Sequence, residues 1–506
     1  MYFRSWGFSV LFLLMQTPAL GEITEMESLV DETEHEGYIV KFKTKKAFNT
    51  FHNQKISAFS TGSQLPEFDA EVVNFSSDQD AKQFARREDV EYVEPNGYAQ
   101  TLVPMTPGIV NQFREDIPYG IDGVHALEIE DYNETSGIKV CIVDTGYDLG
   151  HKDLPTENVD GFSPYSHEPR WDVDPARHGT HVAGTIAAIR DDGIGVVGVN
   201  RNEKIPLFIG KGLRNSGRGP WSEILRTMQK CVNNGANVIN MSLGGTSPSR
   251  TMEDYIKGLE EDDNVLIVAA AGNRGGTRYE YPASFDSRAV MSVAALNGLD
   301  RQAAFSRKND QVDIAAPGQK IMSTEPGDRY RFASGTSMAA PHVAGVAALI
   351  WSHFPDRKAS EVRAALECSA EMIKQFKGDV KNIQVGYGRV NAKAANEMLA
   401  TRDYGDCDAG PQVPTDRPTS SPSSFPSSYS TFSPVTLSPV TSPPAGPRDP
   451  PEEIASSPTS APTSAPTSAP QVAPTDPPEE AFPPTSSPTS FSQRRRRRRR
   501  RIVRPP

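Results

Sequence analysis

No stretch of this sequence is long and apolar enough to cross a bilayer, which takes about 20 residues; the apolar run at residues 8–15 (FSVLFLLM) is too short. Cysteine is scarce, with four among 506 residues, and no two stand as C-x-x-C, which argues against a zinc site. Positive charge is not in excess either. The formal net charge of -11 argues against a nucleic-acid-binding core. H-E-x-x-H is missing, which removes one class of metallohydrolase. G-x-S-x-G is missing too, and with it the α/β-hydrolase order of serine, acid, histidine.

What is present begins with Arg4, the apolar run and then Pro18-Ala19-Leu20-Gly21. That order reads as a secretory signal peptide over residues 1–21, and the protein is expected to be secreted and extracellular. In an oxidising compartment Cys141, Cys231, Cys368 and Cys407 permit disulfides in three pairings. Cys141, inside an apolar stretch, reads equally well as a buried thiol.

Composition divides the rest into three. Residues 22–102 are charged and carry strand-like stretches at 37–42 (GYIVKF) and 90–93 (VEYV), which fits a small α+β module. Residues 103–407 alternate apolar runs, at 140–143, 238–241, 265–270 and 290–295, with helical stretches such as 222–233 and 342–352. That alternation predicts an α/β fold with a mainly parallel central sheet covered on both faces. Residues 408–506 are rich in Pro, Ser and Thr, repeat SAPT at 460–470 and end near eight consecutive arginines at 494–501. Such a composition buries too little apolar surface to offset chain entropy, so a disordered tail is expected. Its arginine block suits a polyanionic surface, or is a low-complexity tail without a role or an error in the coding sequence.

Three motifs point to chemistry. Val140-Cys141-Ile142-Val143-Asp144-Thr145-Gly146 is an apolar strand ending in an acid, and functional groups gather beyond the carboxyl ends of such strands. His178-Gly179-Thr180-His181 opens a helix of small residues, where an imidazole can shuttle a proton near neutral pH. Gly335-Thr336-Ser337-Met338-Ala339-Ala340-Pro341 opens a second helix, with Gly335 read as a tight turn. Unpaired N–H groups and the positive dipole end then face Ser337. A fourth piece, Asn273 after the run at 265–270, can donate to an oxyanion. Each motif alone has a structural reading as a turn, a cap or a histidine pair. Their order, Asp144, His178, Asn273, Ser337, is far more specific than any one of them.

That order resembles the subtilisin family of serine proteases, in its bacterial subtilisin and proteinase K-like branch. The likeness spans about residues 115–400 and includes Asn240-Met241-Ser242-Leu243-Gly244-Gly245, Ala303-Ala304-Phe305-Ser306, Ala315-Ala316-Pro317-Gly318 and Gly386-Tyr387-Gly388-Arg389-Val390-Asn391. The resemblance implies a three-layer subtilisin-like fold and a serine endopeptidase that hydrolyses protein or peptide substrates through an acyl-enzyme. Ser337 is then the nucleophile, His178 the general base and acid, Asp144 its orienting partner and Asn273 an oxyanion donor. Residues 22–102 resemble the family's inhibitory propeptide, with Val90-Glu91-Tyr92-Val93-Glu94-Pro95 as its late strand and a cleavage point near Leu102. The protein is thus expected as an autoprocessed zymogen, inhibited by its own propeptide, and as a monomer. The competing reading is a catalytically idle relative acting as a tethered scaffold.

By the same resemblance, Ser242, Leu243, Gly244 and Gly245 form one wall of the pocket for the residue before the scissile bond. Ala270, Ala271 and Gly272 form the other. Gly217 and Gly219 lie in a segment that pairs with extended substrate. Glu280 falls near the pocket floor, where an ionised carboxylate favours Lys or Arg; its alternative fate is solvent. No cofactor is needed for the chemistry. A structural Ca²⁺ is implied at Glu115, Asp153 and Asp191, since hard oxygen ligands suit that ion. Sequons occur at Asn74, Asn133 and Asn240, the last expected to be buried and bare.

Overall fold

A parallel sheet of seven strands forms the middle of the molecule, in a computed structural model that describes residues 34–53, 60–102, 109–110, 114–131, 137–168, 170–373 and 381–404. The expected signal peptide, Asn133, Cys407 and the tail from 408 lie outside these residues. Across the sheet the order is Val312–Pro317, Val290–Leu296, Leu266–Ala270, Val238–Met241, Val140–Asp144, Leu207–Lys211 and Val159–Phe162. The four apolar runs singled out above are four of these strands.

The central strands are buried at every position and mostly apolar because both faces are covered. Side chains alternate between faces with period two. Val140, Ile142, Val238, Leu266 and Val268 pack with the helices His178–Ala187 and Thr336–His353. Cys141, Val143, Ile239, Met241 and Ile267 pack on the other side with Trp221–Asn233 and Arg250–Asp262. A disulfide joins Cys141 to Cys231 across that second layer. Cys141 is therefore half of a cystine rather than a buried thiol, and Cys368 is disulfide-bonded as well. Helix Thr336–His353 is buried nearly throughout, as its small and apolar residues require.

Before this core stands a smaller α+β module. Its antiparallel sheet runs Ser60–Leu65, Ala70–Asn74, Tyr38–Phe42, Val90–Pro95. One face packs Phe42, Phe48, Phe51 and Phe84 beneath the helices Lys45–Asn53 and Asp78–Phe84. The other face, with Ile39, Leu65 and Val72, lies in one apolar cluster with Leu225, Met228 and Ile256 of the core's outer helices.

Two polar side chains lock that contact. Glu94 accepts hydrogen bonds from Arg250 N (2.7 Å), Thr251 N (3.1 Å), Thr251 Oγ1 (2.6 Å) and Ser249 Oγ (3.0 Å). It thereby supplies the orphan N–H groups and positive dipole end of helix Arg250–Asp262. Asn96 Oδ1 accepts from Ser222 N at 3.0 Å, at the start of helix Trp221–Asn233. Beyond Asn96 the chain continues as the strand Tyr98–Thr101. It lies antiparallel between Arg218–Pro220 and Leu243–Gly244, making a three-stranded sheet.

Candidate active site

Asp144 ends the strand at which the sheet changes direction. The chain builds Leu207–Lys211 on one side of Val140–Asp144 and later Val238–Met241 on the other. Such a switch point opens a crevice at the carboxyl ends. Asp144 is fully buried there, its Oδ1 accepting from Thr145 N at 2.7 Å.

Helix His178–Ala187 approaches the Asp144–Gly146 turn closely because Gly179 has no side chain. A Cβ on Gly179 would stand 2.1 Å from Gly146 O. Arg177, in the left-handed conformation (φ 72°), turns the chain into the helix. His178 is thereby set with Nδ1 at 2.7 and 2.9 Å from the two carboxylate oxygens of Asp144. The proton of the neutral ring then sits on Nδ1, leaving Nε2 as an acceptor. Nε2 is buried and has no hydrogen-bond partner among the described residues.

Around this pair lies a shell that the motifs alone do not reveal. Asp174 accepts from Thr145 Oγ1 (2.8 Å), Thr180 N (2.8 Å), Thr180 Oγ1 (2.8 Å) and Arg177 N (3.0 Å), tying both motifs to one carboxylate. Burial pushes Asp174 upward, and these hydrogen bonds oppose that shift. The buried Lys211 donates to Thr145 O at 2.5 Å and to Asn215 Oδ1 at 2.8 Å. His181 is structural: its Nε2 lies 3.0 Å from Arg331 O, and burial pulls it down to about 4.

Ser337 is the second residue of its helix, so its N–H has no partner within the helix. Gly335 is extended here (φ 167°) rather than in the tight turn expected of it. Pro341 has no N–H to give to the carbonyl four residues earlier, which is that of Ser337. Ser242 Oγ donates to that carbonyl instead, at 2.9 Å. Ser337 Oγ in turn donates to Ser242 O at 2.9 Å. Asn273 completes the group. Its Oδ1 accepts from Thr336 N (2.8 Å) and Thr336 Oγ1 (2.9 Å). Its Nδ2 is buried without a partner among the described residues, so the amide keeps a donor available there.

A model of the subtilase family matches residues 135–400. Subtilisin amylosacchariticus from Bacillus subtilis subsp. amylosacchariticus is 33% identical over 399 residues, 76% of this chain and 97% of that protein. Subtilisin DY from Bacillus licheniformis is 38% identical over 286 residues, 56% of this chain and 99% of its own length. This chain belongs to the subtilase family. Among solved structures, the psychrophilic subtilisin-like protease Apa1 of Pseudoalteromonas sp. AS-11 superposes with a TM-score of 0.53 at 28% identity, covering 57% of this chain and 99% of that one. The subtilase described here is therefore a serine-type endopeptidase with a subtilisin-like fold, a chemistry that needs no cofactor.

The expected pocket residues do come together. A Cβ on Gly244 would meet Glu280 Cγ at 2.7 Å and Leu102 Cδ1 at 3.2 Å, and one on Gly272 would meet Arg307 Cγ at 2.7 Å and Glu280 Oε2 at 3.1 Å. Ser242, Leu243, Ala270 and Ala271 are buried behind these glycines. Gly217 O accepts from Thr101 N at 2.8 Å, and Gly219 is paired with Ala99. Glu280 is buried in the subtilase rather than facing solvent, and burial pushes its carboxyl upward against the pull of Arg307 and Arg274. Asn240 is buried, its Nδ2 donating to Ser242 Oγ at 3.0 Å, so no glycan fits there.

The expected calcium ligands converge less well. Asp153 is buried, with Oδ1 lacking a hydrogen-bond partner among the described residues. Glu115 Oε1 accepts from Asp191 N at 2.6 Å, but the side chain of Asp191 is 85% exposed. Among the described residues no group of three or more His, Cys, Asp or Glu is placed to hold a metal ion. Asp153 fits a hard cation as one ligand; Asp191, as placed, does not.

Sequence reasoning missed Asp174, Lys211, Thr336 and Arg307. Thr336, beside Ser337 in its motif, was the one with a local signal. The other three read as ordinary polar residues until the fold brings their partners near.

Proposed function

We propose that this subtilase is a secreted endopeptidase made as a zymogen, with Asp144, His178 and Ser337 as its triad. One observation carries the triad. His178 Nδ1 is held 2.7 Å from Asp144, whereas its buried Nε2 has no partner among the described residues. A base oriented in this way takes a proton from one side only. Ser337 Oγ turns from Ser242 O toward Nε2 when substrate enters, since such bonds tighten in the working complex. Its alkoxide attacks the peptide carbonyl, forming the C–O bond as the proton passes to Nε2. The negative oxygen is received by Asn273 Nδ2 and Ser337 N. His178 returns the proton to the leaving amine, and water then hydrolyses the acyl-enzyme by the same route. Asp144 stabilises the imidazolium in both halves.

The zymogen reading is supported by the strand Tyr98–Thr101. It occupies the position of an extended substrate between Arg218–Pro220 and Leu243–Gly244, and Leu102 follows it into the pocket between Gly244 and Glu280. Residues 22–102 are then a product-bound inhibitor cut after Leu102. Secretion rests on residues 1–21 and agrees with the paired Cys141 and Cys231. Among the described residues no helix is long and apolar enough to cross a membrane. A structural Ca²⁺ rests on the orphaned Oδ1 of Asp153 alone.

Labelling by a fluorophosphonate probe tests the reading. Labelling that is lost in Ser337→Ala, together with casein cleavage, supports it. A secreted protein that neither labels nor cleaves casein is instead a scaffold.

A further inference from the structure

The carboxylate of Glu280 lies in the pocket, where an anion alone would select Lys or Arg. It does not stand alone. Arg307 reaches it from the far wall, Nη2 to Oε2 at 3.4 Å, and both side chains are about 95% buried, with 5% and 4% exposed. Arg307 Nη1 also donates to Gly275 O at 2.7 Å, and Lys308 N, next in the chain, donates to Gly276 O at 3.0 Å. The guanidinium is thereby fixed to the loop that leaves Asn273. Arg274, on the same loop, lines the small cavity beside Tyr98–Gln100 together with Glu280. The chain's own occupant of the pocket is Leu102, whose Cδ1 lies beside the Gly244 position that Glu280 also fills.

We infer that Arg307 is the specificity-determining residue of this pocket: it neutralises Glu280 and turns an acidic pocket into one that takes a neutral aliphatic side chain. The inference rests on the protease reading above. With Arg307 bonded to Glu280 and Arg274 beside the same cavity, no net negative charge is left to attract a cationic side chain. A buried ion pair keeps its geometry because breaking it strands a charge in a medium of low dielectric. A substrate Lys or Arg would have to displace Arg307 from Glu280 before gaining anything. Leu needs only the apolar flanks of the two side chains and the surface over Gly244 and Gly272. The pair also shortens the pocket, because Arg307 Cγ closes on Gly272 from behind.

The test compares kcat/KM of the self-processed full-length chain on matched peptides carrying Leu, Arg or Glu before the scissile bond. The wild type is expected to favour Leu over Arg at least tenfold. Arg307→Met, which keeps the aliphatic stem and removes the charge, should move the Arg-to-Leu ratio at least tenfold toward Arg. Glu280→Gln gives the guanidinium an amide oxygen to bond, and it is the second variant that tests the pair should Arg307→Met fail to fold. It should raise cleavage after Glu at least tenfold relative to Leu. Wild-type cleavage after Arg as fast as after Leu overturns the inference. So does a Glu280→Gln enzyme with no gain after Glu, or a folded Arg307→Met enzyme with an unchanged ratio. In each of those cases peptide hydrolysis persists and the protease reading stands. A wild type that cuts none of the peptides and takes up no fluorophosphonate overturns both.

Discussion

At the scale of single residues, the site divides into groups that react and groups that aim them. Asn273 is aimed by Thr336, which donates from both N and Oγ1 to its Oδ1 and whose Oγ1 also accepts from Gly272 N at 3.1 Å. Fixing the carbonyl end of the amide leaves the Nδ2 end to the oxyanion role proposed for it. Asn273→Ala is expected to lower kcat by about 10²–10³ with little change in KM, a magnitude taken from subtilisin rather than from this geometry. Thr336→Val keeps the shape and removes two hydrogen bonds of about 1 kcal/mol each. It should lower kcat by roughly tenfold, since about 1.4 kcal/mol is a factor of ten. Steady-state kinetics on one peptide measures both. A Thr336→Val enzyme with unchanged kcat would show that Asn273 is held by other means.

At the scale of elements, two features set stability. The Cys141–Cys231 disulfide closes a loop with a sequence separation of 90 and ties the strand carrying Asp144 to helix Trp221–Asn233. Replacing both cysteines by alanine should cost about 2–4 kcal/mol, read as a lower midpoint in denaturant. The second feature is His342 in helix Thr336–His353. Its ring is buried, Nδ1 is 2.8 Å from Met338 O, and burial pulls it down to about 4. The unfolded value is near 6.5, so between about pH 6.5 and 4 the unfolded chain binds the extra proton. Stability from a neutral buried His342 is complete above that window and is lost as pH falls through it, by roughly 3 kcal/mol. His342→Gln should therefore flatten the fall of Tm between pH 6.5 and 4. An equally steep fall would assign the acid sensitivity elsewhere.

The same scale shows what was legible in the sequence. Runs 140–143, 238–241, 265–270 and 290–295 read as buried strands because they are apolar on both faces, and they are strands. Leu207–Lys211 was not read, since Gly210 and Lys211 break its apolar pattern; Lys211 is accommodated by hydrogen bonds to Thr145 O and Asn215. Ser60–Leu65 (STGSQL) is almost wholly polar and becomes a strand only by pairing with Ala70–Asn74. Asp144, His178, Asn273 and Ser337 were legible because each sits in a short motif at an element's end. Arg307 was not, because its meaning depends on Glu280, a residue 27 positions earlier.

At the scale of the whole molecule, the described residues of 34–102 hold the core through the apolar face of Ile39, Leu65 and Val72 and through polar contacts along the chain. Glu94 caps helix Arg250–Asp262, Asn96 meets helix Trp221–Asn233, and Tyr98–Thr101 pairs with the strands Arg218–Pro220 and Leu243–Gly244, the edge proposed to take substrate. Hydrogen bonds to a charged group contribute about 1.5–3 kcal/mol. Glu94→Ala should therefore loosen the proposed propeptide, once cleaved, by about tenfold or more and shorten the lag before casein hydrolysis begins. The most direct measurement is the N-terminus of the secreted full-length chain, compared between wild type and Ser337→Ala. The wild type should begin at Val103, just after Leu102, and Ser337→Ala should keep residues 22–102 covalently attached. A Ser337→Ala chain that is still cut after Leu102 in pure form would contradict the assignment of Ser337 as the nucleophile.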